Sequence, residues 1–412
     1  MQEPSIEEDR SEKESILSTK CRFLLWSCVI IPISIMISII AVVIFIRSQS
    51  SFSSNNIPCN PLKFSDYRSY PAGSDPWSIS NGYLDEDSFL DIVVANTFDP
   101  TISIYYGFGN GTFQSQKLYT TNHHVFYVAV RDMNNDNKSD IILTYSTLNQ
   151  IAILINMGNQ NFNSPITYPV GNFPFWIDVS DFNKNNLLDV IVVNDRAASV
   201  TILYDYYNLS FSFSETYPCG DDVTAVSVAD FNNDSYPDFV TTDYSDNTIS
   251  LYINPKNGIF KNKKKFYTSI GPWGIATADL NNDNFIDIVN TNFVSFTISV
   301  FLNDGHGNFN KWDTYYIGGT TMSVTLADLN NDTFIDIIAA NFGDDFICIY
   351  LNKQNGIFEA CQRFISDWNV NSDTTGDFNV SAITTGDFNG DNKIDIALCT
   401  GQSTMNVLLN LC

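Results

Sequence analysis

The sequence predicts an all-β fold, a seven-bladed β-propeller of four-stranded antiparallel blades, preceded by a single transmembrane α-helix. Three observations carry that expectation. A nine-residue phrase with oxygen-bearing side chains at positions one, three, five and nine occurs seven times. Its first positions lie 49 residues apart from 83 through 328, and the last step, to 387, is 59. A fixed period of this length marks a repeat architecture. Between phrases run short β-branched segments, closed by glycine-rich turns, and nothing beyond residue 46 has helical periodicity. Four such segments per unit indicate a propeller blade.

The N-terminus comes first. Residues 1–22 are polar and acidic and read as a disordered cytoplasmic tail. Phe23 to Ile46 is a stretch of 24 residues without a charge. At about 1.5 Å per residue it is long enough to span a bilayer, and it is too long for a signal-peptide core. Residues 23–46 are therefore expected to be a retained signal-anchor helix. Arg10, Lys13, Lys20 and Arg22 precede the span, whereas only Arg47 and Lys63 follow it nearby. That asymmetry predicts a single-pass type II protein of the plasma membrane with its C-terminal part outside. Residues 47–58 form a polar stalk, and 59–412 the extracellular propeller. Sequons at Asn110, Asn208 and Asn379 are expected to carry N-glycans. Three more, at Asn137, Asn233 and Asn331, lie inside the phrases.

The blades follow. In residues 266–309, strands are expected at 266–271, 273–278, 285–290 and 297–303, then a hairpin turn at Asp304-Gly305-His306-Gly307-Asn308. The last unit lacks an outer strand, whereas an extra one precedes the first. Residues 63–73 match 161–171, so 59–73 should complete the last blade and remove the open edge. Cys59 and Cys412 then fall in one hairpin turn, which predicts a Cys59–Cys412 disulfide. Cys348 and Cys361 flank another turn and predict a second bridge. The long final step is a ten-residue duplication of Thr374–Asn379, expected to bulge near Trp368–Ser381.

The phrases themselves suit a metal. The complete ones are Asp132, Asn134, Asp136, Asp140; Asp230, Asn232, Asp234, Asp238; Asp279, Asn281, Asp283, Asp287; Asp328, Asn330, Asp332, Asp336; and Asp387, Asn389, Asp391, Asp395. Asp181, Asn183, Asn185, Asp189 has only two carboxylates, and Tyr83 displaces the first ligand ahead of Asp85, Asp87 and Asp91. Ca²⁺ takes six to eight oxygen ligands, and alternate oxygens on a tight loop point inward together. Position nine is expected to complete the shell, giving about five to seven structural Ca²⁺ sites. Of 46 acidic residues, 20 occupy these slots, so the formal charge of -25 reads mainly as cation sites. That charge argues against a nucleic-acid partner, which would need basic patches.

The repeat resembles the FG-GAP/VCBS repeat, and the seven-copy array resembles the propeller at the head of integrin α chains. The likeness covers roughly residues 59–412. It implies structural Ca²⁺ on one face and partner binding on the other. An integrin α chain is anchored at its C-terminus and carries further domains, so a β-chain partner is not implied.

Aromatic residues on the face opposite the phrases, Phe98, Phe173, Phe293, Phe296, Phe342 and Trp368, suit protein or sugar recognition. Trp77, Phe126, Phe175 and Trp273 recur six residues before a phrase and read as packing between blades. Lys261, Lys263, Lys264 and Lys265 read as protection of an edge strand. No nucleophile–base pair, phosphate loop or zinc pattern is seen. The expected function is therefore non-enzymatic: an extracellular protein or glycan partner bound in adhesion or recognition. The alternative is a lyase-like carbohydrate-active enzyme, or a lectin, on the same scaffold.

Overall fold

The computed structural model describes residues 62–309, 311–343, 346–365 and 379–412. The expected tail, span and stalk, Cys59, Trp368 and most of the duplicated segment lie outside them. Among the described residues no helix is long and apolar enough to cross a membrane.

Seven four-stranded antiparallel sheets follow one another along the chain. In the fifth blade the strands are Pro272–Ala278, Asp287–Asn292, Thr297–Leu302 and Lys311–Tyr316. The strand expected at 266–271 is Lys263–Tyr267 and forms the outer edge of the fourth blade. It ends early because Ser269–Gly271 turns into the next blade, with Gly271 at φ 73°. The expected lysine cluster sits on this edge. Lys264 Nζ reaches Asn308 Oδ1 at 3.0 Å, and Lys265 pairs with Asp246.

In all seven blades the ninth phrase position is the first residue of the second strand, and every residue of those strands is buried. A strand covered on both faces should read as a nearly continuous apolar run, and Asp-Ile-Ile-Ala-Ala-Asn and Asp-Val-Ile-Val-Val-Asn do. The innermost strand of six blades carries a register shift near its start, for example between Pro272 and Ile275. Such bulges sharpen the local twist.

The core is not one mass. It is a set of apolar layers between successive sheets. Val93, Ala95 and Ile104 of the first blade meet Val128, Ile141 and Leu143 of the second. Ile92 and Val94 meet Ala397, Cys399 and Val407 of the last. Burying each large aliphatic side chain contributes at most about 1.5–3 kcal/mol.

That second layer exists because the ring closes. Arg68–Pro71 pairs with Thr404–Leu408 as the outer strand of the last blade, in the register Arg68↔Val407 to Pro71↔Thr404. The Leu411 N–H donates to the Lys63 carbonyl at 2.8 Å, which sets Cys412 beside Lys63. Cys348 and Cys361 are disulfide-bonded. Cys399 is a buried thiol, and burial pushes the Cys219 thiol up to about 12.

This up-and-down topology sorts the connections. The phrases and the third-to-fourth-strand turns lie on one face. The second-to-third-strand turns and the blade-to-blade links lie on the other.

Candidate functional site

The phrase folds the same way in the five complete copies. At Asp279, Oδ1 accepts the Asp283 N–H at 3.1 Å and Oδ2 accepts the Asn284 N–H at 2.7 Å. Asn281 Oδ1 accepts the Asp283 N–H, and Asp283 Oδ1 accepts the Phe285 N–H, both at 2.9 Å. Asn282 and Asn284 take left-handed φ of 58° and 67°, a conformation Asn tolerates better than most residues. The loops at 132, 230, 328 and 387 repeat these bonds. Side-chain oxygens at positions one, three and five thus share one tight turn.

Position nine does a second job that its spacing does not reveal. Asp287 is fully buried. Its Oδ2 accepts the Leu280 N–H at 2.9 Å and its Oδ1 the Asn303 N–H at 2.8 Å. Asp91, Asp140, Asp189, Asp238, Asp336 and Asp395 make the equivalent bonds. Burial pushes the Asp287 carboxyl up to about 7; the two backbone N–H groups oppose this, and the carboxylates of Asp283 and Asp279 add to it. Positions one, five and nine therefore sense each other's charge. Among the described residues, however, no group of three or more His, Cys, Asp or Glu side chains is placed to hold a metal ion. The donor set is all oxygen, which suits a hard cation, and each carboxylate oxygen keeps a second lone pair.

Asn303 belongs to a network that the phrase does not include. Its Nδ2 donates to Ile286 O of its own blade and to Phe231 O of the preceding blade's loop, both at 2.9 Å. Asn156, Asn254, Asn352 and Asn410 do the same in their blades. The signal was present: Asn254, Asn303 and Asn352 keep the 49-residue period. Two blades depart. The first has Gly107, and there the Gly111 N–H reaches Phe388 O instead. The third has Asp205, which cannot donate to a carbonyl.

Asp205 turns toward its own loop. Its Oδ1 accepts from Asn183 Nδ2 and from Asn185 Nδ2, each at 2.7 Å. In the first blade Tyr83 is exposed, and Gln160 of the second blade donates to Asp85 Oδ2 at 3.1 Å. In the fourth, Lys256 lies 3.6 Å from Asp234.

A cavity of about 290 Å³ runs along the axis, lined by the innermost strands of all seven blades. Trp77, Phe175 and Trp273 line it at the end opposite the loops, and Arg131 lies at the loop end. Tyr127 lies against Trp176, ring centroids 4.6 Å apart. Asp178 Oδ2 accepts the Val228 N–H at 2.9 Å. Burial pushes the Asp178 carboxyl up, against the pull of two backbone N–H groups and of Arg131. All four six-before aromatics pack on aromatic neighbours, and three of them, Trp77, Phe175 and Trp273, also line the cavity. The cause is position. The innermost strand has no inward neighbour, so its edge borders the cavity. Several turn aromatics are their packing partners. Phe173 and Phe293 are buried, 5.5 Å from Phe126 and Trp273, and Phe342 packs on Trp77 at 5.9 Å. Phe98 stays exposed. His124 Nδ1 lies 2.8 Å from Thr97 O, and His123 packs edge-on against Tyr145.

The FG-GAP-like repeat matches five stretches, 83–143, 132–192, 181–241, 230–290 and 328–398, which together exceed half the chain. The chain belongs to the FG-GAP-like repeat family. Each matched FG-GAP stretch begins at position one of a phrase and ends in the second strand of the next blade. The repeat in sequence therefore straddles the blade in space, and each contains one of the blade-to-blade junctions. No curated protein matches the chain.

Solved structures share the fold at low identity. Virginiamycin B lyase from Staphylococcus aureus is 13% identical, with a TM-score of 0.58 over 84% of this chain and 99% of that one. BBS1N, solved in complex with ARL6DN, is 11% identical, with a TM-score of 0.61 over 84% and 96%. An Agrocybe aegerita lectin, described as recognising non-reducing terminal N-acetylglucosamine, is 16% identical, with a TM-score of 0.54 over 84% and 97%. At these identities the likeness extends to the fold alone.

Proposed function

We propose that this FG-GAP chain is a non-enzymatic, type II single-pass protein of the plasma membrane, whose calcium-stabilised propeller binds an extracellular protein or glycan. The observation that most supports binding is the axial cavity with its aromatic rim, on the face opposite the loops. Cavities that combine apolar walls with a few convergent polar groups are the usual place for recognition. In this reading Tyr127, Trp176 and Asp178 meet the ligand, and residues 23–46 hold the chain in the membrane. Asp279, Asn281 and Asp283 would hold Ca²⁺ with Asp287 behind them, as would the matching residues of the loops at 132, 230, 328 and 387. The ion would supply positive charge where three carboxylates converge. Asn110 and Asn208, exposed on third-to-fourth-strand turns, would carry glycans, with Asn379 half-buried at the last blade.

A second reading rests on the same cavity. Asp178, which lines the cavity with its carboxyl pushed up and Arg131 nearby, is where a lyase could find a proton-transferring group. The two readings separate experimentally. The full-length chain is purified in detergent and applied to a glycan array and to soluble polysaccharides. Saturable binding that Asp178→Asn weakens, with no product formed, is the expected result. Turnover would replace recognition by catalysis, and binding indifferent to Asp178→Asn would move the ligand off the axis.

A further inference from the structure

The seven loops are not equivalent, and the third blade shows how. In the complete copies position five is an aspartate. One of its oxygens accepts the backbone N–H two residues on, as Asp283 does from Phe285 at 2.9 Å. The other faces the loop's interior, where it accepts from Asn281 Nδ2 at 2.9 Å. In the third blade position five is Asn185. Its Oδ1 is held in the same way, by the Leu187 N–H at 2.8 Å. That bond fixes which end of the amide is which and turns the NH₂ group to the place of the second carboxylate oxygen. Asn183 is fixed likewise: its Oδ1 accepts the Asn185 N–H at 3.2 Å. Both NH₂ groups then converge on Asp205 Oδ1 at 2.7 Å.

At position five an N–H donor, Asn185 Nδ2, therefore occupies the place where the other loops present a carboxylate oxygen, whereas the position-three amide is a donor in both kinds of loop. An amide NH₂ group carries no lone pair for a cation and repels it. A carboxylate, by contrast, takes two charge-assisted bonds well. We propose that the Asp181 loop is a cation-free version of the phrase, closed by the Asp205 carboxylate instead of a divalent ion. This rests on the reading that the complete loops bind Ca²⁺. The two exchanged residues explain each other: position five gives up its carboxylate where the clamp asparagine becomes Asp205. The exchange also has a cost in the fold. Asp205 cannot make the blade-to-blade bond of Asn254 or Asn303, so the junction of the second and third blades lacks that clamp.

The test counts bound calcium in the full-length chain by equilibrium dialysis with metal analysis. Three variants are compared with wild type: Asp279→Asn in a complete loop, and Asp181→Asn and Asn185→Asp in this one. Asp279→Asn is expected to lose one ion and Asp181→Asn none. Asn185→Asp, which restores a carboxylate at position five, is expected to gain one. Loss of an ion in Asp181→Asn would overturn the inference. If wild type and Asp279→Asn both bind none, the calcium reading itself has failed. The inference then falls with it, whereas an ion lost from both Asp279→Asn and Asp181→Asn overturns the inference alone and leaves the calcium reading standing.

Discussion

Replacing Asn303 by alanine removes three hydrogen bonds at once. Its Nδ2 holds Phe231 O and Ile286 O at 2.9 Å, and its Oδ1 accepts the Gly305 N–H at 3.1 Å. The side chain is 5% exposed, so water does not replace what is lost. Each net bond contributes about 1 kcal/mol, and a buried partner left unpaired costs about 1–3 kcal/mol. The expected loss is therefore about 3–5 kcal/mol. Unfolding entropy of about 2.1 cal/mol/K per residue makes a propeller of this size lose about 1.3 °C per kcal/mol. The melting temperature of Asn303→Ala should fall by about 4–7 °C in differential scanning calorimetry. Asn303→Asp should fall further, because a carboxylate would then face two carbonyl oxygens. Asn262→Ala, on the exposed outer edge of the fourth blade, should change stability by less than about 0.5 kcal/mol. An Asn303→Ala protein within about 1 kcal/mol of wild type would refute the clamp as a stabilising device.

Asp195 offers a pH test away from the loops. It is 7% exposed, its Oδ1 has no hydrogen-bond partner among the described residues, and burial pushes its carboxyl up to about 7, with Asp222 adding and Arg196 opposing. A carboxyl raised on folding binds its proton more tightly in the native state, so stability falls as pH rises from about 4 through 7. Asp195→Asn should stabilise by at most about 4 kcal/mol at pH 8 and by nothing near pH 4, in urea melts at both. A gain independent of pH would refute the assignment. Chelation should lower the melting temperature, since an ion that binds only the folded chain contributes about 2.7 kcal/mol per site at a hundredfold excess over its Kd. An EDTA-indifferent melt would count against calcium in the loops. Non-reducing peptide mapping should recover a Cys59–Cys412 pair, because Cys412 already lies against Lys63. Both residues alkylated as thiols would rule it out.

The blade count, the strand class and the ring closure were legible because each leaves a periodic trace. Asp230, Asp279 and Asp328 keep the period, and 63–73 repeats 161–171. The pairing of Cys348 with Cys361 followed from their flanking one turn. The loop donors were legible as a list but not as a geometry. Position nine reads as a fourth ligand in the phrase, and its spacing does not reveal that each Asp287 oxygen also accepts a backbone N–H. The clamp of Asn303 was periodic too, but its partner Phe231 lies 72 residues away, across a blade boundary.

By itself, then, the sequence determined what repeats: four strands, one oxygen-rich loop and one buried strand per unit. Local hydrogen bonding and side-chain alternation set these, and both are written in neighbouring residues. Only the tertiary structure decided what happens where units meet. It set Trp77, Phe175 and Trp273 around the axis, and it brought the Asn303 amide to Phe231 O of the preceding blade. Those contacts depend on how seven sheets pack around one axis, and no single period of the chain encodes that.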